Sequence, residues 1–208
     1  MSVIRAQAVT IRKYNEGPSL SDGDVRIREI QAPNPKPAVG VSPFGLAIAP
    51  NFEAPGEDWD IVCLRLSLLI GSHRCVYGLD IGALGNICRH EMSGLSVAGL
   101  FNNIETSEGA FQIAGVYSHS AWHFNGLQLS GGLSWTEGNM AGIQIAVANK
   151  SGRLEGAQIG AVNFAEKGTG IQIGVFNYSE QLEGFQLGLI NVNRNSALPF
   201  CPVLNLAF

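Results

Sequence analysis

A five-residue unit recurs along this chain every 14 or 16 positions: Gly, an apolar residue, Gln, an apolar residue and a small residue. It reads Gly126-Leu-Gln-Leu-Ser130, Gly142-Ile-Gln-Ile-Ala146, Gly156-Ala-Gln-Ile-Gly160, Gly170-Ile-Gln-Ile-Gly174 and Gly184-Phe-Gln-Leu-Gly188. Weaker copies precede these at Ala110-Phe-Gln-Ile-Ala114, Gly94-Leu-Ser-Val-Ala98 and Gly78-Leu-Asp-Ile-Gly82. A fixed short period means that one small unit is stacked many times. Within a unit, Ile171, Ile173 and Val175 alternate with Gln172, Gly174 and Phe176, the period of two that a strand imposes. A helix reading fails, because two glycines per repeat would each cost about 1 kcal/mol relative to alanine.

Both repeat lengths are even, so each residue keeps its face from one repeat to the next. The uniformly apolar set is expected to face a core, and the Gln set to face solvent or a crowded seam. Ile173→Asp is then expected to be far more damaging than Gln172→Ala. Asn149, Asn163, Asn177 and Asn191 stand at one offset after the unit, where Asn suits a fixed corner. In the earlier repeats Asn86, Asn102, Ser118 and Ser134 fall one place later, with one more residue before the next unit. The step from 16 to 14 therefore reads as two single-residue trims, one on each side of a coil.

These features predict an all-β fold, a β-solenoid of short 14–16-residue coils with capped ends. Stacking at about 4.8 Å would place Gln112, Gln128, Gln144, Gln158, Gln172 and Gln186 in an amide ladder, with the Asn residues in a second one. Leu154 and Leu182 would fill the core from the returning side. The repeat domain is expected over residues 41–197, an N-terminal cap over 1–40 and a C-terminal cap over 198–208. Arg65 and Asp80 take the Gln position in early coils and are expected to pair. The alternative architecture is an antiparallel outer-membrane β-barrel with Gln and Gly inside. Against it, strands of about eight residues fall short of the usual 9 to 11 and the connections do not alternate short and long.

Composition narrows the function classes. A net charge of −4 without a Lys or Arg cluster disfavours a nucleic-acid partner. The N-terminus lacks the apolar core of a secretory leader, so either the chain is cytoplasmic or a leader was removed ahead of this numbering, and membrane association has no support from a signal peptide. Cys63, Cys75, Cys88 and Cys201 are irregularly spaced and read as small buried side chains rather than a metal or redox set. No nucleophile elbow, P-loop or zinc-protease motif occurs, so no cofactor is expected and the chain reads as a non-enzyme. His119 and His123 have helical metal spacing but read better as loop histidines.

The run of Gly-apolar-Gln-Ile-Gly-apolar-apolar-Asn units, with the terminal Leu198-Pro-Phe-Cys-Pro-Val-Leu-Asn-Leu-Ala-Phe208, resembles a family of bacterial "surface repeat" proteins over residues 44–208. The resemblance implies a bacterial origin and a cell-surface, outer-membrane or other envelope role, with no catalytic residues to carry over. The functional expectation is a scaffold for protein interaction or envelope structure, its partner a protein (a further copy of itself, or a host or envelope component), with oligomerisation left open. The alternatives are the membrane barrel, or a small carbohydrate-active or metal-dependent enzyme using the loops of the wide coils. The partner-binding surface is expected on those wide coils, at Arg89, His90, Glu91, His119, Trp122, His123 and Trp135. Their connections should stack on one edge, and exposed Trp beside Arg and His is typical of interface anchors. The competing reading turns Trp122 and Trp135 inward to fill the wider coil.

Overall fold

The computed structural model describes residues 37–207. The cap expected over residues 1–40 falls almost wholly outside the described residues. The strands are β1 (Gly40–Ala49), β2 (Phe52–Ala54), β3 (Trp59–Ser67), β4 (Ile70–His73), β5 (Cys75–Gly82), β6 (Gly85–Ala98) and β7 (Phe101–Ala114). They continue as β8 (Tyr117–Ser130), β9 (Leu133–Ile145), β10 (Ala148–Ile159), β11 (Val162–Ile173), β12 (Phe176–Asn193) and β13 (Phe200–Ala207). From β5 to β12 each strand pairs in parallel with the next, with Gln on Gln from β7 onward, so the repeats stack as coils of a β-solenoid. The parallel pairing rules out the antiparallel barrel. Two antiparallel pairings occur among the described residues: β2 folds back on β1, and β13 crosses the last coil against β12.

One coil, residues 142–155, shows the cross-section. Gln144 and Ala146 point inward, then Asn149 and Ser151, then Leu154, with outward residues between the three groups. The coil therefore has three sides: a Gln side, an Asn side and a short return. Wide coils add one outward residue at each of two corners, 131–133 against 147–148 and 137–139 against 152–153. These are the two trims read from the repeat lengths.

The inside and outside of the Gln side are the reverse of the expectation. Gln172 is 0% exposed, whereas Ile173 is 37% exposed and Val175 52%. From Gln128 onward each ladder Gln donates from Nε2 to the Oε1 of the preceding coil: Gln128 to Gln112 at 3.0 Å, Gln144 to Gln128, Gln158 to Gln144 and Gln172 to Gln158 at 2.8 Å, and Gln186 to Gln172 at 2.7 Å. In the later coils Nε2 also donates to a backbone carbonyl, as Gln158 does to Phe164 O at 3.0 Å. The Asn row runs the other way: Asn149 donates to Asn163 and Asn163 to Asn177 at 2.8 Å, and Asn177 to Asn191 at 2.7 Å. The two rows of amide dipoles thus oppose each other.

The reversal has a physical cause. A lone buried amide is costly to desolvate, but one stacked in register on identical amides finds a donor and an acceptor at every step. The three sides also converge too closely for branched side chains on all of them. Apolar filling is left to the return side, where Val76, Met92, Phe124, Met140, Leu154 and Leu182 form the core with Ile61 and Ile104. Ser107 and Gly168 share that column and leave room for the larger neighbours.

Glycine is required at the corner into the Gln side. Gly156 has φ +139°, and a Cβ there would sit on the carbonyl oxygen of Gly142. An L side chain would thus be strained twice, by its backbone angle and by the coil below.

Candidate functional site

The outer surface inverts the usual pattern. On the Gln side the outward columns run Leu79, Leu95, Phe111, Leu127, Ile143, Ala157, Ile171, Phe185 and Ile81, Val97, Ile113, Leu129, Ile145, Ile159, Ile173, Leu187. The following corner is equally apolar, with Leu100 46%, Val147 59% and Leu189 69% exposed. Around it the first Asn-side column continues as Phe101, Tyr117, Leu133, Ala148, Val162 and Phe176. At the N-terminal end the band meets an apolar groove of about 900 Å³ between β1, β2 and β3, lined by Leu46, Ile48, Phe52, Leu66 and Leu68.

Charge is confined to the rest of the perimeter. From β5 to β12, every Asp, Glu, Lys and Arg except Asp80 and Lys150 lies on the return side or its two corners. Between band and charge runs a mixed column of His119, Trp135, Lys150, Phe164 and Tyr178. Lys150 Nζ lies 5.1 Å from the Trp135 ring centre, and His119 packs edge-on against that ring.

The seven residues expected to form a partner surface fall on two neighbouring strips. His119 and Trp135 stack in this mixed column, while Arg89, His90, Glu91, Trp122 and His123 lie on the next corner. These stretches belong largely to continuous strands and not to protruding loops. Several polar ends are already engaged: Arg89 with Glu57 at 2.5 Å, His90 with Glu105 at 2.9 Å, and His119 with Asn103 at 3.0 Å. Trp122 and Trp135 are half-buried on outward positions; Phe124 and Met140 fill the interior of those coils. The inward reading of the tryptophans is thereby overturned. Of the cysteines, Cys75 and Cys88 are buried, but Cys63 is exposed because its position on β3 points outward. Burial pushes the Cys88 thiol up to about 12, which makes it a poor nucleophile.

The Gln row gives way to charge at the N-terminal coils. Arg65 binds Asp80 through two hydrogen bonds, Nε to Oδ1 at 2.6 Å and Nη2 to Oδ2 at 2.5 Å. Both side chains are buried, and Ser96 donates to the same carboxylate at 3.1 Å. Arg65 Nη1 also reaches Ile87 O at 2.9 Å and lies 3.4 Å from His73 Nδ1. His73 Nε2 lies 3.1 Å from Pro55 O, which assigns the ring proton to Nε2 and leaves Nδ1 an acceptor facing the guanidinium. Burial first, and the Arg65 charge second, lower the His73 pKa to about 4.

A pH dependence follows. Below pH ~6.5 the unfolded chain protonates His73 while the native ring stays neutral down to about 4, so stability falls with pH across that window. Burial raises the pKa of the neighbouring Glu53, which works in the opposite sense by favouring the protonated native form as pH drops. His73 alone contributes a loss of at most about 2–3 kcal/mol at ~1.4 kcal/mol per pKa unit, reduced by the opposing Glu53 contribution. Denaturant titrations at pH 7 and pH 4.5 should show it in the wild type and a smaller loss in His73→Phe. Parallel pH curves for the two proteins would remove His73 as the cause.

No protein family, curated protein or solved structure compared with this chain matches it. Among the described residues no cluster of metal-ligating side chains forms, and no helix is long and apolar enough to cross a membrane.

Proposed function

We propose that this chain is a non-enzymatic scaffold of the bacterial cell surface or envelope, a rigid β-solenoid that displays an uninterrupted apolar outer face for association. The observation that carries this reading is the apolar band itself. It runs from β1 to β13, roughly 45–50 Å at an interstrand spacing of ~4.8 Å. Its contour of six to seven residues, from the Leu127–Ile143 column to the Leu133–Ala148 column, spans roughly 20 Å, so its area exceeds the few hundred Å² of a typical monomer's largest apolar patch. An extended rigid stack with laddered amides inside and apolar groups outside is suited to being covered, and the engagement of Arg89, His90 and His119 leaves little free chemistry for turnover.

The test is the state of the isolated chain. In detergent-free buffer it should bind an apolar dye and grow in particle size with concentration, and a non-ionic detergent should disperse it with its β signal unchanged. A monodisperse monomer at high concentration that binds no dye would sink this reading, as would turnover in a hydrolase screen.

A further inference from the structure

Resting on that scaffold reading, we infer that the cover of the apolar band is lipid: the solenoid lies along one leaflet of a bilayer, its axis in the membrane plane, with the corner of Leu100, Val116, Val147, Val175 and Leu189 inserted.

Three observations select lipid over a second copy or another protein. First, the band wraps two sides and the corner between them. A rigid partner with a flat face can cover one side and leaves the other in water, whereas fluid acyl chains cover both. Second, across this width there is no Asp, Glu, Lys, Arg, His, Asn or Gln among the described outward residues from β5 to β12. A protein interface of this size would ordinarily carry a polar rim and about one hydrogen bond per 100–200 Å². Third, the column bordering the band holds Trp135, Lys150 and Tyr178, residues with an apolar body and a polar tip. Such side chains collect where hydrocarbon meets headgroups, Trp and Tyr as belts and Lys by extending its amine to water.

The charge distribution fixes the orientation. Charged residues occupy the return side and its corners in successive coils, among them Glu105, Glu137, Arg153, Lys167 and Glu183. An axis along the membrane normal would drag these charges into hydrocarbon at a cost of several kcal/mol each. With the axis in the plane they all stay in water while the opposite corner enters the leaflet. The arrangement is the β counterpart of an amphipathic helix lying at an interface.

The experiment is flotation of the full chain with large unilamellar vesicles of pure phosphatidylcholine, which carry no net charge. The wild type should float with the vesicles, and 0.5 M salt should not release it, because the band is apolar and not ionic. Val147→Asp/Val175→Asp/Leu189→Asp changes three exposed outward side chains and should lower vesicle partitioning at least tenfold with the β signal retained. Glu183→Gln, on the return side, should float as the wild type does. If the triple variant does not fold, Val175→Asp alone serves, with a smaller drop expected. A wild type that stays out of the vesicles but forms a discrete dimer or captures another protein through the same corner would overturn the lipid assignment and leave the scaffold reading standing. A wild type that neither floats nor associates would overturn both. Flotation unchanged in every corner variant would also overturn the assignment.

Discussion

Gln172→Leu will unfold at much lower denaturant than the wild type, whereas Ile173→Asp will unfold close to it. The first change keeps the volume but removes the amide in the middle of the ladder. Gln158 Oε1 loses the 2.8 Å donor above it, Gln186 Nε2 loses its 2.7 Å acceptor below, and Tyr178 O loses a donor at 3.3 Å. Gln186 keeps Ser179 Oγ and Val192 O, both at 3.1 Å, so the heavier penalty falls on the Gln158 oxygen. Burying polar groups without partners costs about 1–3 kcal/mol for each group fully orphaned, so the sum should reach about 2–4 kcal/mol. For a chain of this size that is about 5–15 °C in Tm. Ile173 points away from the interior, and its replacement alters strand propensity by about 1 kcal/mol or less. Urea titration of both variants in plain buffer decides the matter. Equal midpoints, or Ile173→Asp as the weaker fold, would restore the apolar set to the core.

The repeat made much of this architecture legible, and the part it concealed has a single origin. Period, even spacing, the strand reading, the two corner trims and the Arg65–Asp80 pair all follow from residues compared at equal offsets, where parallel stacking places them in contact. Which face is inside does not follow from hydrophobicity here. The rule that apolar residues go inside rests on the cost of an isolated buried polar group, and stacked amides are not isolated. A usable signal was present in the variability within the chain. The ladder position is Gln in six successive coils, because a ladder needs identical partners. The flanking positions vary among Leu, Ile, Phe and Ala (Leu127, Ile171, Phe185, Ala157), as a surface covered by something adaptable allows. The apolar corner is not legible in any one coil, because Leu100, Val116, Val147, Val175 and Leu189 are single residues within their coils and line up only across them. The wide-coil His and Trp positions lie on continuous strands and not on loops, since nothing in one coil's sequence marks a corner that the ladder carries straight through.

The second large effect concerns the charged end of the ladder. Asp80→Leu should cost about 3–5 kcal/mol, more than Gln172→Leu, because it strands a wholly buried guanidinium that has lost both carboxylate bonds. Arg65 would retain Ile87 O and the His73 ring, which satisfy hydrogen-bond donors but not the charge. The double change Arg65→Gln/Asp80→Gln should recover most of that loss. Arg65 and Asp80 are direct register partners, so two glutamines there can make the same amide contact as Gln158 and Gln172. Replacing a buried ion pair by a matched neutral pair is often neutral in stability, while breaking it by one partner is not. The measurement is a double-mutant cycle by urea titration, with Arg65→Gln and Asp80→Gln as the single arms. A coupling of about 2–3 kcal/mol is expected, within the range for contacting residues. Additive single effects would mean that the pair stabilises nothing jointly, and that the polar interior works by filling space and not by matching donor to acceptor. Strong coupling with recovery in the double variant would instead make the N-terminal ion pair and the Gln row one continuous device, a register lock that holds the coils in phase and the columns of the outer apolar band aligned.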